Sequence, residues 1–412
     1  MAIPFFSIDL KFKDILELIK NISLPINKKK SYNKLQETLD KRFSDKNVIL
    51  LPSARLGFYL SLKKFFKEND EVIFSVMSFP LYVKIANELK LKVKLVDVSE
   101  NDLNIDVDKL NKSITENTKG IVITHLFGYP CEIDKIKNLL KGKNIKLIED
   151  CAQSFGTYYN NIETGNFGDV GIFSCSLVKI PTTLGGGILV TSDTDLKNFI
   201  ETWLSENLPK SLSRDITYGI KNLISVANSF PFIYSILSSK ILFFLNRFNP
   251  RTYRKIVYSG MGLKNKKFDP KERNDLKKYQ LEFGVNQLKN YDQSKKIRIE
   301  NTKYLEKELS GMNSISFLNY KKNIDWNYQY FILRINDNYE EFNKKIFRKG
   351  LHAMEENVWD CTDYGYLVDN KDDNFSVGKD FNSKIVRIQN SSYLKKHHLD
   401  KIINIIKSSI NE

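Results

Sequence analysis

Residues 50–200 alternate between short apolar runs and amphipathic stretches, and this alternation limits the possible folds more than any other feature. The apolar runs predict strands at 48–51, 71–74, 93–97, 120–125 and 146–150. The stretches between them have the apolar spacing of helices. Apolar strands that alternate with helices form a mainly parallel sheet that is covered on both faces. The sequence therefore predicts a three-layer α/β/α domain.

Side chains capable of chemistry follow the predicted strands. In an open parallel sheet the ligand binds at the carboxyl ends of the strands, and His125 and Asp150 both fall at such ends. Lys179 follows a further strand-like run and precedes the glycine-rich segment 182–187. A lysine amine can attack a carbonyl and hold it covalently, and an acid can pair with the ring nitrogen of pyridoxal 5′-phosphate (PLP). Lys179 and Asp150 together therefore suggest Schiff-base chemistry.

The pattern changes after about Lys271. The sequence then predicts a long charged helix at 275–309, a strand at 328–335, a helix at 339–349, a strand at 384–388 and a helix at 398–408. This mixture predicts a small α+β domain. We therefore expect a large domain with its N-terminal segment (1–206), a basic apolar helical insert (207–270) and a smaller C-terminal domain (271–412).

The insert differs from both domains in charge. Eleven basic and two acidic residues give it a net charge of +9, out of +15 for the chain, which suggests an anionic partner for this segment. Residues 222–246 are strongly apolar, but Pro231 and Lys240 interrupt them, and a spanning helix needs about 20 unbroken apolar residues. A helix pair in contact with the membrane surface is one prediction. Packing against the body of the protein or a second subunit is the other.

The cysteine and histidine patterns argue against a metal site. The four cysteines form no CxxC pair and the four histidines form no HExxH motif, so we expect no metal. Dispersed cysteines favour a reducing compartment, and residues 1–6 are too short an apolar start for a signal peptide. We expect a cytoplasmic protein, with peripheral contact at the inner membrane face as an extension, and no nucleic-acid partner.

Several segments resemble one known family in both order and spacing. They are 148–156, 168–174 with Lys179, 70–73 with 78–79, and 123–128. They are similar to the DegT-type (DegT/DnrJ/StrS) sugar aminotransferases, which are PLP enzymes of fold type I. The similarity covers about 45–200 and, more weakly, 276–310. It implies a PLP-transferase large domain, PLP as cofactor, and a homodimer in which two subunits complete each site.

The resemblance also implies roles for individual residues. Lys179 matches the lysine that binds the cofactor covalently and later moves a proton between cofactor and substrate. Asp150 matches the acid on the ring nitrogen, and Gln153 the partner of the ring hydroxyl. Phe79 matches the aromatic residue stacked on the ring, and Ser174 the hydroxyl that holds the phosphate. Taken alone, Lys179 would fit an exposed surface lysine, Asp150 a helix cap and Phe79 a core aromatic.

Two departures from the family pattern affect the phosphate site. The small-Gly-Thr loop before the first helix appears here as Ser53-Ala54-Arg55. Backbone amides at a helix start attract phosphate, and Arg55 could bind phosphate or face the substrate. The family's Asn-Tyr-Arg element, which reaches the partner subunit's cofactor phosphate, is not kept in 271–275. Arg273 and Asn274 are the candidates to replace it.

The resemblance implies transamination of a keto-sugar, expected to be nucleotide-linked. An amino acid such as glutamate would be the donor, in polysaccharide, glycan or amino-sugar biosynthesis. A dehydratase branch of the family has histidine in place of the lysine, so Lys179 argues against that branch. The alternative hypothesis is a catalytically divergent member that acts as a membrane-associated binding or scaffold protein. The altered Asn-Tyr-Arg element and the apolar insert motivate that alternative.

Overall fold

A seven-stranded sheet forms the centre of the molecule, which we describe from a computed structural model. The structure describes residues 2–4, 6–10, 12–23, 28–208, 212–249, 251–253, 267–272, 275–318, 320–321, 324–355, 360–363, 375–382 and 384–410. The first strands are Asn47–Leu51 (β1), Glu71–Ser75 (β2), Lys92–Val96 (β3), Thr118–Thr124 (β4), Lys146–Asp150 (β5), Tyr158–Tyr159 (β6), Ile162–Glu163 (β7), Val170–Ser174 (β8) and Gly187–Thr191 (β9). The order in the sheet is β1-β9-β8-β5-β4-β2-β3, and β6 pairs with β7 separately.

The sheet is mainly parallel, as predicted. Neighbours from β8 through β5, β4 and β2 to β3 run parallel, whereas β9 runs antiparallel to both β8 and β1. Two antiparallel pairings in succession leave β1 parallel to β8. The carboxyl ends of β1, β2, β4, β5 and β8 therefore lie at one edge of the sheet.

Helices cover both faces of this sheet. The helices up to residue 207 are Phe12–Ser23 (α1), Lys28–Arg42 (α2), Ala54–Phe65 (α3), Pro80–Glu88 (α4), Val107–Ser113 (α5), Ile133–Leu140 (α6) and Thr194–Asn207 (α7). Successive side chains of a strand point to opposite faces. Val72 and Phe74 accordingly pack in one core with α3 and α4, while Ile73 packs in another with α5 and α6. The predicted α/β fold is confirmed.

A second, smaller sheet is antiparallel throughout. Its strands are Ile315–Ser316 (β10), Tyr330–Ile335 (β11), Met354–Glu355 (β12) and Ile385–Gln389 (β13), in the order β10-β11-β13-β12. Helices Tyr339–Arg348 and Lys396–Ile410 share its core. Ile3, from the N-terminal segment, lies in the same core and pairs with Leu351. This unit has the α+β character that the sequence predicts, while the domain boundaries at 206 and 270 stay predictions.

The single helix predicted at 275–309 is wrong. The structure has two helices, Lys278–Lys289 and Tyr291–Leu309, separated at Asn290. The Asn290 amide donates a hydrogen bond to the carbonyl of Asn286 at 2.9 Å. Asparagine side chains of this kind compete with the helical backbone for its hydrogen bonds and favour helix ends. The continuous apolar spacing of the sequence conceals this break.

The described part of the insert is helical and packs on the body of the protein by one side. It contains Leu212–Asn228 (α8), Pro231–Ile233 (α9), a π-helical turn Tyr234–Ser238, and Ser239–Phe248 (α10). Val226 of α8 packs beside Leu184, and Leu242 of α10 packs near Phe347. The Tyr234 hydroxyl hydrogen-bonds to Nδ1 of His352 in the second unit. The packing alternative therefore holds for this side of the helices.

No single described helix has the length and hydrophobicity to cross a membrane. Thr217–Asn228 and Pro231–Phe248 meet that criterion of length and composition only as a pair, with a bend of 90° between them.

Candidate active site

The strand ends at the common edge carry a chain of polar side chains. Ser78 follows β2, Thr124 ends β4 and Asp150 ends β5. The hydroxyl oxygens of Ser78 and Thr124 lie 3.2 Å apart, and the Thr124 hydroxyl donates to Oδ2 of Asp150 at 3.4 Å. All three residues are buried. The parallel sheet therefore brings these groups together although they are far apart in sequence.

Asp150 is a buried carboxylate with few hydrogen bonds. Its Oδ1 accepts from the Ala152 amide at 3.0 Å, and only 2% of the residue is exposed. Burial raises its pKa above the ordinary value, although the Ala152 amide, the positive charge of Lys179 and the Thr124 hydroxyl oppose that rise. A cation that approached Asp150 would lower its pKa again, because it would stabilise the charged form. The Asp150 carboxylate is therefore placed to bind a positively charged group.

Lys179 lies in the turn that follows β8, at the same edge. Its backbone amide donates to the Ser176 carbonyl at 3.0 Å, and the residue is 8% exposed. Its side chain acts electrostatically on Asp150. Since an exposed surface lysine would be hydrated and distant from the carboxylate, the surface-lysine alternative does not hold.

Gln153 lies in the segment that follows β5, and 3% of the residue is exposed. Its side-chain oxygen is buried and has no hydrogen-bond partner among the described residues. Its backbone carbonyl, in contrast, accepts from the Asn327 amide at 2.6 Å. A buried amide oxygen without a partner is rare and costs free energy. The side chain is therefore held in a position that suits a ligand.

The first turn of α3 and the end of β8 are the elements where the sequence predicts a phosphate site. Ser53 caps α3, and its hydroxyl accepts from the Leu56 amide at 3.3 Å. Gly187 of β9 approaches this turn so closely that a Cβ there would lie 2.5 Å from the amide nitrogen of Ala54. The Ser174 hydroxyl, half-buried at the end of β8, accepts from the Ser176 amide at 3.4 Å. Helix-start amides and a hydroxyl therefore lie at the same edge as Lys179.

Arg55 and Phe79 both lie near Tyr82. Burial raises the pKa of Tyr82 well above its ordinary value, Asp150 raises it further, and the positive charge of Arg55 lowers it. Arg55 therefore lies within electrostatic reach of Tyr82. The Phe79 ring stands edge-on to Tyr82 at 5.4 Å. Phe79 is partly buried against the core, which fits both a core aromatic and a ring at the rim of the site.

His125 belongs to the layer beneath the site. Its Nε2 lies 3.0 Å from Glu149, and its Nδ1 accepts from the Cys131 amide at 3.1 Å. An accepting Nδ1 requires the proton to be on Nε2, so the ring donates to Glu149. Glu149 also accepts the backbone amides of Gly165, Phe167 and Gly168. Glu149 and Asp150 are successive residues of β5, so their side chains point to opposite faces of the sheet.

His125, Glu149 and Cys151 form a cluster whose ligand atoms lie within 4.8 Å of one another. Hydrogen bonds already use Nδ1 and Nε2 of His125 and both carboxylate oxygens of Glu149. The Cys151 thiol is buried, and burial raises its pKa well above the ordinary value. The cluster is therefore an internal hydrogen-bonded support for β5.

Sequence reasoning missed two residues that the second unit brings to this edge. Asn327 donates to the backbone carbonyls of Gln153 at 2.6 Å and Phe155 at 3.2 Å. Gln329 donates to the Val178 carbonyl at 2.9 Å, directly before Lys179. Both are buried. The run Asn327-Tyr328-Gln329 at the start of the strand predicted at 328–335 was their only sequence signal, and such polar runs are common at strand starts.

All seven predicted site residues lie at the carboxyl ends of parallel strands or in the segments that follow them. They are Ala54 and Arg55 after β1, Phe79 after β2, Asp150 and Gln153 at and after β5, and Ser174 and Lys179 at and after β8. The candidates Arg273 and Asn274 lie outside the described residues.

Comparison with known proteins identifies one family. The family model for the DegT/DnrJ/EryC1/StrS aminotransferase family matches residues 14–215. GDP-4-keto-6-deoxy-D-mannose 3-dehydratase of Escherichia coli O55:H7 is 29% identical over 55% of this chain and 60% of its own length. GDP-perosamine synthase of Escherichia coli O157:H7 is 30% identical over 39% of this chain and 45% of its own length. The chain thus spans about half the length of the curated relatives it matches.

The overall fold has solved counterparts. PseC of Helicobacter pylori, an aminotransferase involved in the biosynthesis of pseudoaminic acid, has a TM-score of 0.76 to this structure and 16% sequence identity. The superposition covers all of both chains. At this identity the likeness concerns the fold alone.

Proposed function

We propose that the protein is a PLP-dependent aminotransferase, on the premise that residues 14–215 match the model of the DegT/DnrJ/EryC1/StrS aminotransferase family. It transfers an amino group from an amino acid, such as glutamate, to a nucleotide-linked keto-sugar. The buried pair of Lys179 and Asp150 at the sheet edge is the observation that carries this proposal. The product would be used in polysaccharide, glycan or amino-sugar biosynthesis.

The residues at the edge fit PLP. Gln153 presents a buried amide oxygen without a partner, close to the Asp150 strand end. In the proposed arrangement Asp150 faces the ring nitrogen, Gln153 the ring hydroxyl and Phe79 the ring plane. The amides of Ala54 and Arg55, with the Ser174 hydroxyl, bind the phosphate. Bound PLP supplies an electron sink for the charge that develops on the substrate carbon.

Lys179 and Asp150 have different roles in the proposed reaction. With PLP bound, the amine of Lys179 would hold the cofactor covalently and, once displaced by the substrate amine, would act as the base that moves a proton at the substrate carbon. With PLP bound, Asp150 would keep the ring nitrogen protonated, because a buried carboxylate stabilises a nearby cation. Asn327 and Gln329 hold the backbone around Gln153 and Lys179 and so keep both side chains in position.

Lys179 also favours one of two activities found among the relatives. One matched relative is a dehydratase, and the dehydratase branch of the family has histidine in place of the lysine. This chain has Lys179, which supports transamination. The alternative hypothesis of a catalytically divergent scaffold protein is disfavoured, because the acid, the amide, the hydroxyl and the lysine are all retained at the edge.

The absorbance of the purified protein tests this proposal. We expect a band near the visible edge after reconstitution with PLP, and its decrease when glutamate is added. Lys179→Ala should abolish the band, since the covalent bond needs the amine. Lys84→Ala removes an equally buried lysine on α4 and should keep it. A wild-type protein that stays colourless with PLP would rule out the proposed function.

Two further parts of the proposal concern assembly and location. We propose a homodimer, because the family completes each site from two subunits, and light scattering during gel filtration measures the mass directly. We also propose that the enzyme works in the cytoplasm, with contact to the membrane surface through residues 222–246. Cell fractionation with and without a high-salt wash measures that location.

A further inference from the structure

Large apolar side chains are exposed along the helices of the insert. Ile220 and Ile224 lie one turn apart on α8, Leu237 lies in the π-helical turn, and Ile241, Phe244 and Phe248 follow on α10. Each of the six is more than half exposed. We call these six residues the apolar surface. Single exposed apolar residues are ordinary, but a series of this size marks an interaction site.

The apolar surface lies on the side of the helices that the protein itself does not cover. On α10, Ile241, Phe244 and Phe248 are spaced by three and four residues, so they share one helix face. Leu242, adjacent to Ile241, points the other way and is 7% exposed in the contact with the second unit. The packed side therefore fixes the orientation of the helices and leaves the apolar surface outward.

Basic side chains accompany the apolar surface. Lys221, Lys240, Arg247 and Arg251 are exposed on the same helices or directly after them. The sequence has no acidic residue between Asp215 and Asp269. Lys240 and Arg247 flank Ile241 and Phe248 in sequence. An apolar face on helices whose only charged residues between Asp215 and Asp269 are basic matches the interface of an anionic bilayer.

We propose that α8 and α10 dock on an anionic lipid surface, with the apolar surface in the interfacial layer and the basic side chains at the lipid phosphates. Positive charge disfavours a second copy of this chain as the occupant, because a symmetric interface would bring together two surfaces of the same positive charge. The 90° bend and the packed inner side disfavour a spanning arrangement, since lipid cannot surround helices that rest on protein.

Vesicle sedimentation of the PLP-loaded full-length protein tests the proposal. We expect binding to phosphatidylcholine vesicles that contain about 30% phosphatidylglycerol, and about tenfold weaker binding to pure phosphatidylcholine. Added salt should weaken the binding, since screening acts on the charged contacts. The variant Phe244→Ser with Phe248→Ser should lower the affinity for anionic vesicles at least about tenfold. Lys240→Glu with Arg247→Glu should do the same.

Two matched variants separate this surface from general stickiness. Ile162→Ser removes an exposed apolar residue in the β6–β7 hairpin, and Lys303→Glu reverses an exposed charge on helix Tyr291–Leu309. Both should bind vesicles like the wild type. Equal binding by all four variants would overturn the proposal, as would recovery of the wild type in the supernatant. Conversion of a dimer to a monomer by the Phe244 and Phe248 changes, without vesicle binding by the wild type, would assign the surface to a second copy instead.

Discussion

At the sheet edge, charged side chains are buried, whereas on α8 and α10 large apolar side chains are exposed. Both arrangements reverse the usual partition between core and surface. At the edge, hydrogen bonds within the chain offset most of the unfavourable free energy: Asp150, Glu149 and His125 all have partners. On the helices, nothing in the described chain covers the apolar surface. The three buried polar groups at the edge are thus hydrogen-bonded within the chain, whereas the exposed apolar side chains of the helices require a partner from outside.

The largest expected effect is at the edge. Glu149→Gln should lower the free energy of unfolding by about 3 to 5 kcal/mol, because the amide NH2 replaces an oxygen that accepts hydrogen bonds and leaves buried donors unsatisfied. Denaturation in urea measures the loss. Glu71→Gln, which changes a partly exposed carboxylate at the opposite end of the sheet, should change stability much less. Equal stability of the two variants would show that the buried pair does not support the edge.

The wild-type stabilisation by Glu149 has a defined pH range. Burial alone would raise its pKa, but the hydrogen bond from His125 and the backbone amides lower the pKa below the ordinary 4.5. An acid with a lowered pKa stabilises the folded state above its ordinary value and loses that contribution as the pH falls through the folded value. The difference between wild type and Glu149→Gln should therefore be constant at neutral pH and shrink only in strong acid.

The second effect concerns the contact that anchors the insert. Burial lowers the pKa of His352 from 6.5 to about 4, so the folded protein holds it neutral beside Tyr234. A base with a lowered pKa makes the folded state less stable as the pH falls from 6.5 towards 4, on the order of 3 kcal/mol in total. His352→Asn keeps an acceptor for Tyr234 but cannot be protonated. Unfolding curves across this range should lose that pH-dependent component in the variant.

The smallest effect should come from the apolar surface. Ile241 and Leu242 are adjacent on α10, but they are 60% and 7% exposed. Ile241→Ala should change the free energy of unfolding by less than about 0.5 kcal/mol, whereas Leu242→Ala should lower it by about 2 to 5 kcal/mol. Thermal or urea unfolding of the two variants compares them directly. A large loss with Ile241→Ala would mean that the surface is part of the fold.

The sequence predicted the edge well because it depends on local patterns. Asp150 ends β5 and Lys179 lies in the turn after β8, and parallel strands bring their carboxyl ends together whatever the loops between them. The antiparallel β9 and the break at Asn290 were not predicted. Both depend on single hydrogen bonds or pairings that leave the apolar spacing unchanged.

The contacts from the second unit could not be predicted from local patterns. Gln329 reaches Val178 across 151 positions of sequence, and Asn327 reaches Gln153 across 174. Their placement depends on how the units around the two sheets pack against each other. The apolar insert has a related difficulty: residues 222–246 are apolar on more than one side, so the spacing alone does not indicate which side packs on the body.

The four cysteines, all distant from the apolar surface in sequence, have a practical consequence. Cys131, Cys151, Cys175 and Cys361 are buried, and burial raises the pKa of every one of these thiols. Thiols that are protonated and shielded react slowly with alkylating reagents. A cysteine introduced at position 244 would therefore be labelled selectively by a maleimide fluorophore, without prior removal of the native four. The chain already provides the silent background that fluorescence measurements of surface docking require.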